Sequence, residues 1–260
     1  LTAITIDPNE NDFTNLGTLE ATGSGGFIFE AGVYHNIGRT ITIGNGSKLN
    51  LNQGVTLNGG TLDAVGSGVI NIIGVDDGLV LDAVTISTDS KVLQSNVRDV
   101  LIKTSLVNHG DWAVNGSNLN TDVKFEGDIT LSGSGEIFLN NSNAARVLSD
   151  GNTITHAASH TIRGGGLLLD DSGGMINHGT IIADQLTAIT INPNGLGFEN
   201  LGTLQATGAG GFIFEAGTYT NTGQLIDIAA GSKLNLLNDV ALIGGTLKTT
   251  GSGVINIVGS

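Results

Sequence analysis

The sequence is poor in several residue types, and each shortage excludes a class of protein. It contains no cysteine, so neither disulfide bonds nor thiolate metal sites are available. Lys and Arg number 10 against 24 Asp and Glu, and the net charge of −14 disfavours nucleic acid and anionic membranes as partners. No apolar run approaches the roughly 20 residues that a membrane-spanning helix needs. We therefore expect no membrane insertion.

Proline is also scarce, with two copies, whereas glycine occurs 41 times without a collagen period. This composition suits continuous strands joined by tight corners. No segment shows a convincing helical period. Short segments instead alternate apolar and polar residues between Gly, Asn, Asp and Ser, which indicates strands and turns.

A long internal repeat is the most informative feature that is present. Residues 1–75 recur as residues 186–260 without insertion or deletion, and 50 of these 75 positions are identical. One complete repeat is therefore the segment 1–185. A catalytic site gains little from copying, whereas a spacer or a multivalent surface gains length and valency from each copy. The repeat thus favours mechanical or adhesive work, and we expect no enzyme.

The long repeat contains a shorter one. The residue before each short Thr-Leu or Thr-Ile type strand recurs at intervals of 22, 21, 24, 20, 23, 25, 27 and 23 residues, at Gly17, Arg39, Gly60, Val84, Thr104, Gly127, Asn152, Gly179 and Gly202. Intervals of this size are typical of a solenoid. Three strands and three corners per unit predict an all-β fold, a parallel β-helix. Residues 1–185 would form eight coils, and residues 186–260 would begin the next copy within one continuous solenoid.

Alternation predicts which side chains point inward. One interior column would contain Leu19, Ile41, Leu62, Ile86, Leu106, Ile129, Ile154, Ile181 and Leu204. A second would contain Phe27, Leu49, Ile70, Ile137 and Phe212, followed two residues on by Phe29, Leu51, Ile72, Leu139 and Phe214. Between these, an outward column of Ile28, Asn50, Asn71, Phe138 and Ile213 mixes apolar and amide side chains and could pack against a sister molecule.

A second outward column is rich in hydroxyl groups. It runs through Thr18, Thr40, Thr61, Thr85, Ser105, Asp128, Thr153, Thr180 and Thr203. Such a ladder stabilises a sheet by cross-strand pairing. It also resembles the threonine faces of ice-binding β-helices, although charged residues in the neighbouring row, such as Glu20 and Asp63, disfavour an ice-like array of water.

Candidate catalytic and metal-binding residues are sparse. The five histidines are His35, His109, His156, His160 and His178, and corner or solvent positions explain them better than metal ligation. The pairs Asp76-Asp77 and Asp170-Asp171 fall at predicted corners, where carboxylates could hold calcium or act as acid and base. Solvated corners are the favoured interpretation. We assign no catalytic, cofactor-binding or metal-binding residue, and calcium is the one cofactor left open.

Three segments share one style of repeat: Asn177-His-Gly-Thr-Ile-Ile-Ala-Asp184, Gly127-Asp-Ile-Thr-Leu-Ser-Gly-Ser-Gly-Glu-Ile-Phe-Leu-Asn140 and Asn152-Thr-Ile-Thr-His-Ala-Ala-Ser-His-Thr-Ile-Arg-Gly164. They resemble the repeat units of very large bacterial surface proteins, the filamentous-haemagglutinin-like adhesins and autotransporter passenger stalks. The resemblance is one of repeat style over nearly the whole chain. It implies a right-handed parallel β-helix outside the cell, and it carries over no functional residue.

These observations predict a structural segment of a long extracellular bacterial fibre or adhesin stalk. Its partners would be further copies of the repeat end to end, with lateral self-association and cell-surface or matrix carbohydrate as additional contacts. The alternative is a carbohydrate-active or surface/ice-binding β-helix. Because the chain begins and ends within a repeat, without a signal peptide or a capping unit, we expect further coils on both sides.

Overall fold

The computed structural model describes residues 1–9, 11–73 and 78–259. These residues form 33 β-strands and no helix, and therefore no helix that is long and apolar enough to cross a membrane. The strands pair in parallel with the strands of neighbouring coils. The prediction of an all-β parallel β-solenoid is confirmed, with about eleven turns.

The strands form three ladders, which we number as faces in the order in which the chain visits them. Face 1 consists of β1 (Ile4–Ile6), β4 (Phe27–Phe29), β7 (Lys48–Leu51), β10 (Val69–Ile72), β12 (Lys91–Gln94), β14 (Asp111–Val114), β17 (Glu136–Leu139), β20 (Thr161–Gly164), β23 (Thr180–Ala183), β26 (Thr203–Ala206), β29 (Leu225–Ile228) and β32 (Thr246–Thr249).

Face 2 consists of β2 (Phe13–Thr14), β5 (Gly32–His35), β8 (Val55–Asn58), the first halves of β11 (Leu79–Ile86) and β13 (Val100–Asn108), β15 (Thr121–Phe125), β18 (Ala145–Ser149), β21 (Gly166–Leu168), β24 (Ile189–Ile191), β27 (Phe212–Phe214), β30 (Lys233–Leu236) and β33 (Val254–Ile257). Face 3 consists of β3 (Leu19–Ala21), β6 (Thr40–Ile43), β9 (Thr61–Ala64), the second halves of β11 and β13, β16 (Thr130–Ser132), β19 (Thr153–His156), β22 (Gly174–Asn177), β25 (Phe198–Asn200), β28 (Gly217–Thr220) and β31 (Val240–Ile243).

Two long strands continue around a corner, and only one residue at each corner leaves the extended conformation. β11 passes from face 2 to face 3 at Ala83, and β13 does so at Thr104, where φ is 55° and 59°. The register of β11 against β13 shifts at this corner. Along face 1, the spacing between paired residues ranges from 19, between Ile162 and Ile181, to 25, between Trp112 and Ile137. This agrees closely with the predicted coil length.

The core is a column of aliphatic and aromatic side chains enclosed by the three faces. On face 1, Phe27 lies against Leu49, and Leu49 lies against Ile70, with all three at most 5% exposed. Asp122 is the one buried Lys, Arg, Asp or Glu among the described residues, and it is paired with Arg146. Burial of apolar area at each added coil is the main source of stability in such a stack.

The predicted column on face 3 is correct in the first coils and wrong in part from Leu106 onward. On face 3, the column of Leu19, Ile41, Leu62 and Ile86 is confirmed by the strand register. Leu106, however, pairs with Val84, because of the shift within β11. Ile154 pairs with Met175, whereas Ile181 and Leu204 lie on face 1, in line with Ile162.

The phenylalanine column changes face in the same way. Ile137 lies on face 1 in line with Phe27, as predicted, through Val92 and Trp112. Phe212 is not in that column, since it lies on face 2 between Ile189 and Leu234. Phe214 likewise shares face 2 rather than the column of Phe29.

The cause is that the long repeat does not contain a whole number of coils. β24 is the counterpart of β1 and lies on face 2, eight coils beyond β2. From β1 to β24 the chain makes 25 strand steps, counting β11 and β13 twice, and 25 = 8 × 3 + 1. Each strand of the second copy therefore lies one face further round than its counterpart. The predicted eight coils per repeat are corrected to eight and one third.

The extra third of a coil lies between Asn152 and Gly179. This interval, the longest between two of the predicted anchor residues, holds four strands, β19 to β22, so it spans one coil and one additional face. The sequence did not reveal the additional strand, because strands on all three faces share the same period-two pattern and the same Gly-rich corners. An anchor residue before a face 1 strand therefore looks like one before a face 3 strand.

Local packing is retained despite the change of face. Tyr34 stacks on Phe29 with ring centroids 4.3 Å apart, and Tyr219 stacks on Phe214 at 4.4 Å. Each hydroxyl oxygen lies within hydrogen-bond distance of two backbone carbonyls that can accept its proton, those of Ile6 and Glu30 in the first copy and their counterparts in the second. The same sequence therefore packs in the same way between faces 1 and 2 as between faces 2 and 3.

Candidate functional sites

Six polar side chains form a continuous hydrogen-bonded chain inside the corner between faces 3 and 1. None is more than 1% exposed. The links are Asn108 Nδ2 to His160 Nε2 (3.1 Å), His160 Nδ1 to His156 Nε2 (3.0 Å), His156 Nδ1 to Asn177 Oδ1 (2.7 Å), Asn177 Nδ2 to Asn200 Oδ1 (2.8 Å) and Asn200 Nδ2 to Asn221 Oδ1 (2.7 Å). We call these residues the interior polar chain.

Every donor in the interior polar chain points in the same direction. Because Asn177 Nδ2 donates to Asn200, Asn177 Oδ1 must accept the hydrogen bond from His156 Nδ1–H. His156 Nε2 is then an acceptor, so His160 carries its proton on Nδ1 and accepts at Nε2 from Asn108. Both histidines are therefore neutral, with one proton each. A second proton on either ring would leave two donors facing each other.

Burial lowers the pKa of both histidines. The pKa of His156 falls to about 4, because burial disfavours the charged ring more than its hydrogen bonds to Asn177 and His160 favour it. The pKa of His160 falls to about 3 through burial and through repulsion from His156 and His109. The direction agrees with the hydrogen-bond geometry, in which neither ring has an acceptor for a second proton.

The structure corrects the sequence-based interpretation of these two histidines. His156 and His160 lie at a corner, as expected, but on its inner side and shielded from solvent. The other three histidines face outward: His35 contacts Asp12 at 3.0 Å, His109 contacts Ser134, and His178 is exposed. A signal that could have revealed the interior polar chain is the recurring Asn-x-Gly at coil corners, found at Asn15, Asn36, Asn108, Asn177, Asn200 and Asn221.

Two outward arginines each join carboxylates from the coils before and after their own. On face 2, Arg146 makes two bonds to Asp122, at 2.7 and 2.6 Å, and a third to Asp170 at 2.7 Å. On face 1, Arg163 bonds to Glu136 at 2.9 Å and to Asp184 at 2.8 Å. These ion pairs run along the rod axis and join successive coils to one another.

Replacing Arg146 by Met should reduce the free energy of unfolding by about 2 kcal/mol. Asp122 is 1% exposed and would lose its bidentate partner, although Lys124 would still lie 3.7 Å away. Urea unfolding followed by Trp112 fluorescence measures the loss. The matched control is Lys103→Met, which breaks an exposed pair with Glu126 and should cost well under 1 kcal/mol. Equal losses in the two variants would contradict the structural role of Arg146.

The outward column predicted for lateral contacts is divided between two faces. Ile28, Asn50, Asn71 and Phe138 lie on face 1 as expected, but Ile213 lies on face 2. Phe138 is also covered, because the guanidinium of Arg163 lies 4.5 Å from its ring centroid. The side chains proposed for lateral packing therefore do not form one continuous stripe.

A short outward stripe is nevertheless present in both copies. On face 1 it consists of Thr5, Ile28, Asn50 and Asn71, and on face 2 of Thr190, Ile213, Asn235 and Asn256. Asn50 and Thr190 belong to the outward row but are themselves covered by their neighbours. Its two asparagines are bonded to each other at 2.9 Å on face 1 and 2.8 Å on face 2. We call this pattern the Thr-Ile-Asn-Asn stripe.

The predicted hydroxyl column is interrupted. Thr40, Thr61 and Thr85 are neighbours on face 3. Thr180 and Thr203 pair with each other on face 1, not with this group. The threonines thus form two shorter ladders rather than one flat array, so the feature on which the ice-binding alternative depends is divided between faces.

The paired carboxylates do not form a recognisable metal site in the described part of the chain. Asp170 and Asp171 both have positive φ, 46° and 59°, and Asp170 is bound to Arg146. Asp76 and Asp77 lie outside the described residues. Among the residues described, no group of three or more His, Asp or Glu side chains is placed to hold a metal ion.

Comparisons with known proteins add little to these observations. No protein-family model matches the chain, and no curated protein matches it. A solved structure to which it is similar is the crystal structure of a TibC-catalysed, hyper-glycosylated fragment of TibA, with 14% identity and a TM-score of 0.32. The match covers 97% of each chain. At this level of similarity it carries no argument, and the proposal below rests on the chain itself.

Proposed function

We propose that the chain is a structural repeat segment of a long extracellular bacterial fibre or adhesin stalk. Its task would be reach, stiffness and multivalent surface contact, with further copies of the repeat joined end to end. The bacterial surface location follows from the resemblance of the repeat units to adhesin and autotransporter stalks. Cell-surface or matrix carbohydrate is the proposed target of the lateral contacts.

The observation that carries this proposal is the junction between the two copies. The second copy begins at residue 186, and its first strands pair directly with the last strands of the first copy: β24 with β21, β25 with β22, and β26 with β23. Phe198 and Leu204, which cover the junction from inside, are at most 2% exposed. The end of one copy is therefore complementary to the beginning of the next.

Polar contacts also cross this junction without interruption. Asn177 of the first copy donates to Asn200 of the second at 2.8 Å, within the interior polar chain. The backbone N–H groups of Leu201 and Thr203 donate to the carbonyls of Asn177 and Gly179 at 2.8 and 2.9 Å. Because hydrogen bonding and core packing both continue through residue 186, adding copies lengthens the rod without creating a domain boundary.

Small-angle X-ray scattering tests the proposal. The chain should scatter as a rod, and a chain with residues 1–185 added in front should keep the same cross-section while growing by about 40 Å, that is eight and one third strand spacings. A particle that grows in cross-section, or two bodies joined by a flexible link, would contradict a continuous fibre.

Immunogold labelling of the intact source cells tests the location separately. Antibody against the folded chain should decorate filaments that extend from the cell surface. Labelling confined to the cell interior would rule out an extracellular stalk even if the rod geometry holds.

A further inference from the structure

We infer that successive copies of the long repeat stack along one rod, each copy turned by one face relative to the copy before it. The orientation then repeats every three copies, and we call this arrangement the screw. This inference rests on the proposed end-to-end arrangement and specifies how neighbouring copies fit. The partner is the next copy of the same repeat. The fit differs from a simple translation, because the repeat makes 25 strand steps rather than 24, with β11 and β13 counted on both of their faces.

The strand correspondence is the first support. β1, β2 and β3 lie on faces 1, 2 and 3, and their counterparts β24, β25 and β26 lie on faces 2, 3 and 1. The same displacement holds for β4 to β10, whose counterparts are β27 to β33. A third copy with the same number of strands would be displaced by one more face, and a fourth would return to the first orientation.

The second support is that the sequence tolerates the change of face at no visible structural cost. The stack of Phe29 on Tyr34 joins faces 1 and 2, its counterpart Phe214–Tyr219 joins faces 2 and 3, and their interplanar angles are 3° and 0°. The tyrosine hydroxyl groups keep both backbone acceptors in each copy. A copy can therefore start on face 1 or on face 2 with the same local packing.

The screw determines how the fibre presents its surface. The Thr-Ile-Asn-Asn stripe occurs on face 1 in the first copy and on face 2 in the second. In a longer array it would appear on all three sides in turn and return to the first side in the fourth copy. Three copies advance the rod by 25 coils, or about 120 Å. A repeat of 24 strand steps would instead place every stripe along one side.

Electron microscopy of a labelled six-copy array tests the screw. The array consists of the present chain preceded by further copies of residues 1–185, with Ile28→Cys in each copy and Ile213→Cys at the last position. Because the protein contains no cysteine, maleimide-gold marks only these sites. We expect labels about 40 Å apart along the rod, with every third label, about 120 Å apart, on the same side.

A matched control removes the extra strand. Deleting residues 179–185 from each full copy eliminates β23, leaving 24 strand steps, and joins His178 directly to the start of the next copy. The labels should then lie along one side of the rod. If this control does not fold, the unmodified array still decides the question.

The possible outcomes separate the screw from the fibre. A straight rod whose labels all lie on one side in the unmodified array would overturn the screw and leave the proposed fibre intact. An array that forms no rod would overturn both. A rod with labels on three sides in turn supports both.

Discussion

Lowering the pH from 7 to 4.5 is expected to reduce the free energy of unfolding by several kcal/mol, because His156 and His160 are buried in their neutral forms. Both histidines have an ordinary pKa of 6.5, which burial lowers to about 4 and about 3 in the folded protein. The folded state therefore binds fewer protons than the unfolded state over this interval. The stabilisation is fully present above pH 6.5 and is lost progressively as the pH falls through the folded-state pKa values, about 4 for His156 and about 3 for His160.

The measurement is urea unfolding at several pH values, followed by the fluorescence of the single tryptophan, Trp112. Trp112 follows Asn108 closely in the chain. It is buried, and its Nε1 donates to Gln94 at 3.0 Å. The control is the double variant His156→Asn and His160→Ser. Asparagine at position 156 keeps an amide next to Asn177 in the interior polar chain. Serine occupies the position equivalent to His160 at two other corners, as Ser47 and Ser90.

The control is needed because protonation of carboxylates also changes with pH. The protein has a net charge of −14, and acid relieves the repulsion among its 24 acidic residues. Both proteins experience that effect equally. The acid-dependent loss should therefore be larger in the unmodified protein than in the double variant. Parallel curves for the two proteins would show that the buried histidines do not govern the acid response.

Replacing Ile70 or Leu62 by Ala is expected to reduce the free energy of unfolding by about 2 to 5 kcal/mol in each case. Each side chain is 1% exposed and lies in an interior column between neighbours one coil away. Removal of the buried methyl and methylene groups leaves a cavity that the stacked coils cannot close. Thr61→Ala, on the outer side of β9, should cost well under 1 kcal/mol.

A denaturant series on the three single variants measures these losses. Leu62 and Thr61 are adjacent in the same strand, so their comparison isolates the inward from the outward position. Ile70 tests the same distinction on a different face. A loss at Thr61 that equals the loss at Leu62 would mean that the inward and outward positions are wrongly assigned.

The sequence was sufficient to predict the strand, the coil and the solenoid, because these depend on local alternation and on the short repeat period. It correctly grouped Leu19, Ile41 and Leu62. It was not sufficient to place Ile181 and Leu204, which lie on face 1. The three faces share one hydrophobic pattern, so the sequence does not show to which face a given strand belongs. The face is decided by which strands pair with each other in three dimensions.

The interior polar chain was missed for a different reason. Polar residues at coil corners ordinarily face solvent, and His156 and His160 were interpreted in that way. In the structure they face inward because other coils supply partners: His156 bonds to Asn177 in the next coil, and His160 bonds to Asn108 two coils earlier. A buried polar group is tolerated where it is fully bonded. Neighbouring coils supply these bonds between residues that are far apart in the sequence, which a local pattern does not reveal.

The position of Thr190 tests the displacement of the second copy most directly. In the structure Thr190 pairs with Leu167 on face 2, whereas a whole number of coils would place it in the outward column of face 1, like its counterpart Thr5, and beside Arg163. The measurement is disulfide formation, read by mass spectrometry, in the double variants Leu167→Cys with Thr190→Cys and Arg163→Cys with Thr190→Cys. The first pair should cross-link under mild oxidation and the second should not. Cross-linking of the second pair alone would show that the repeat contains a whole number of coils.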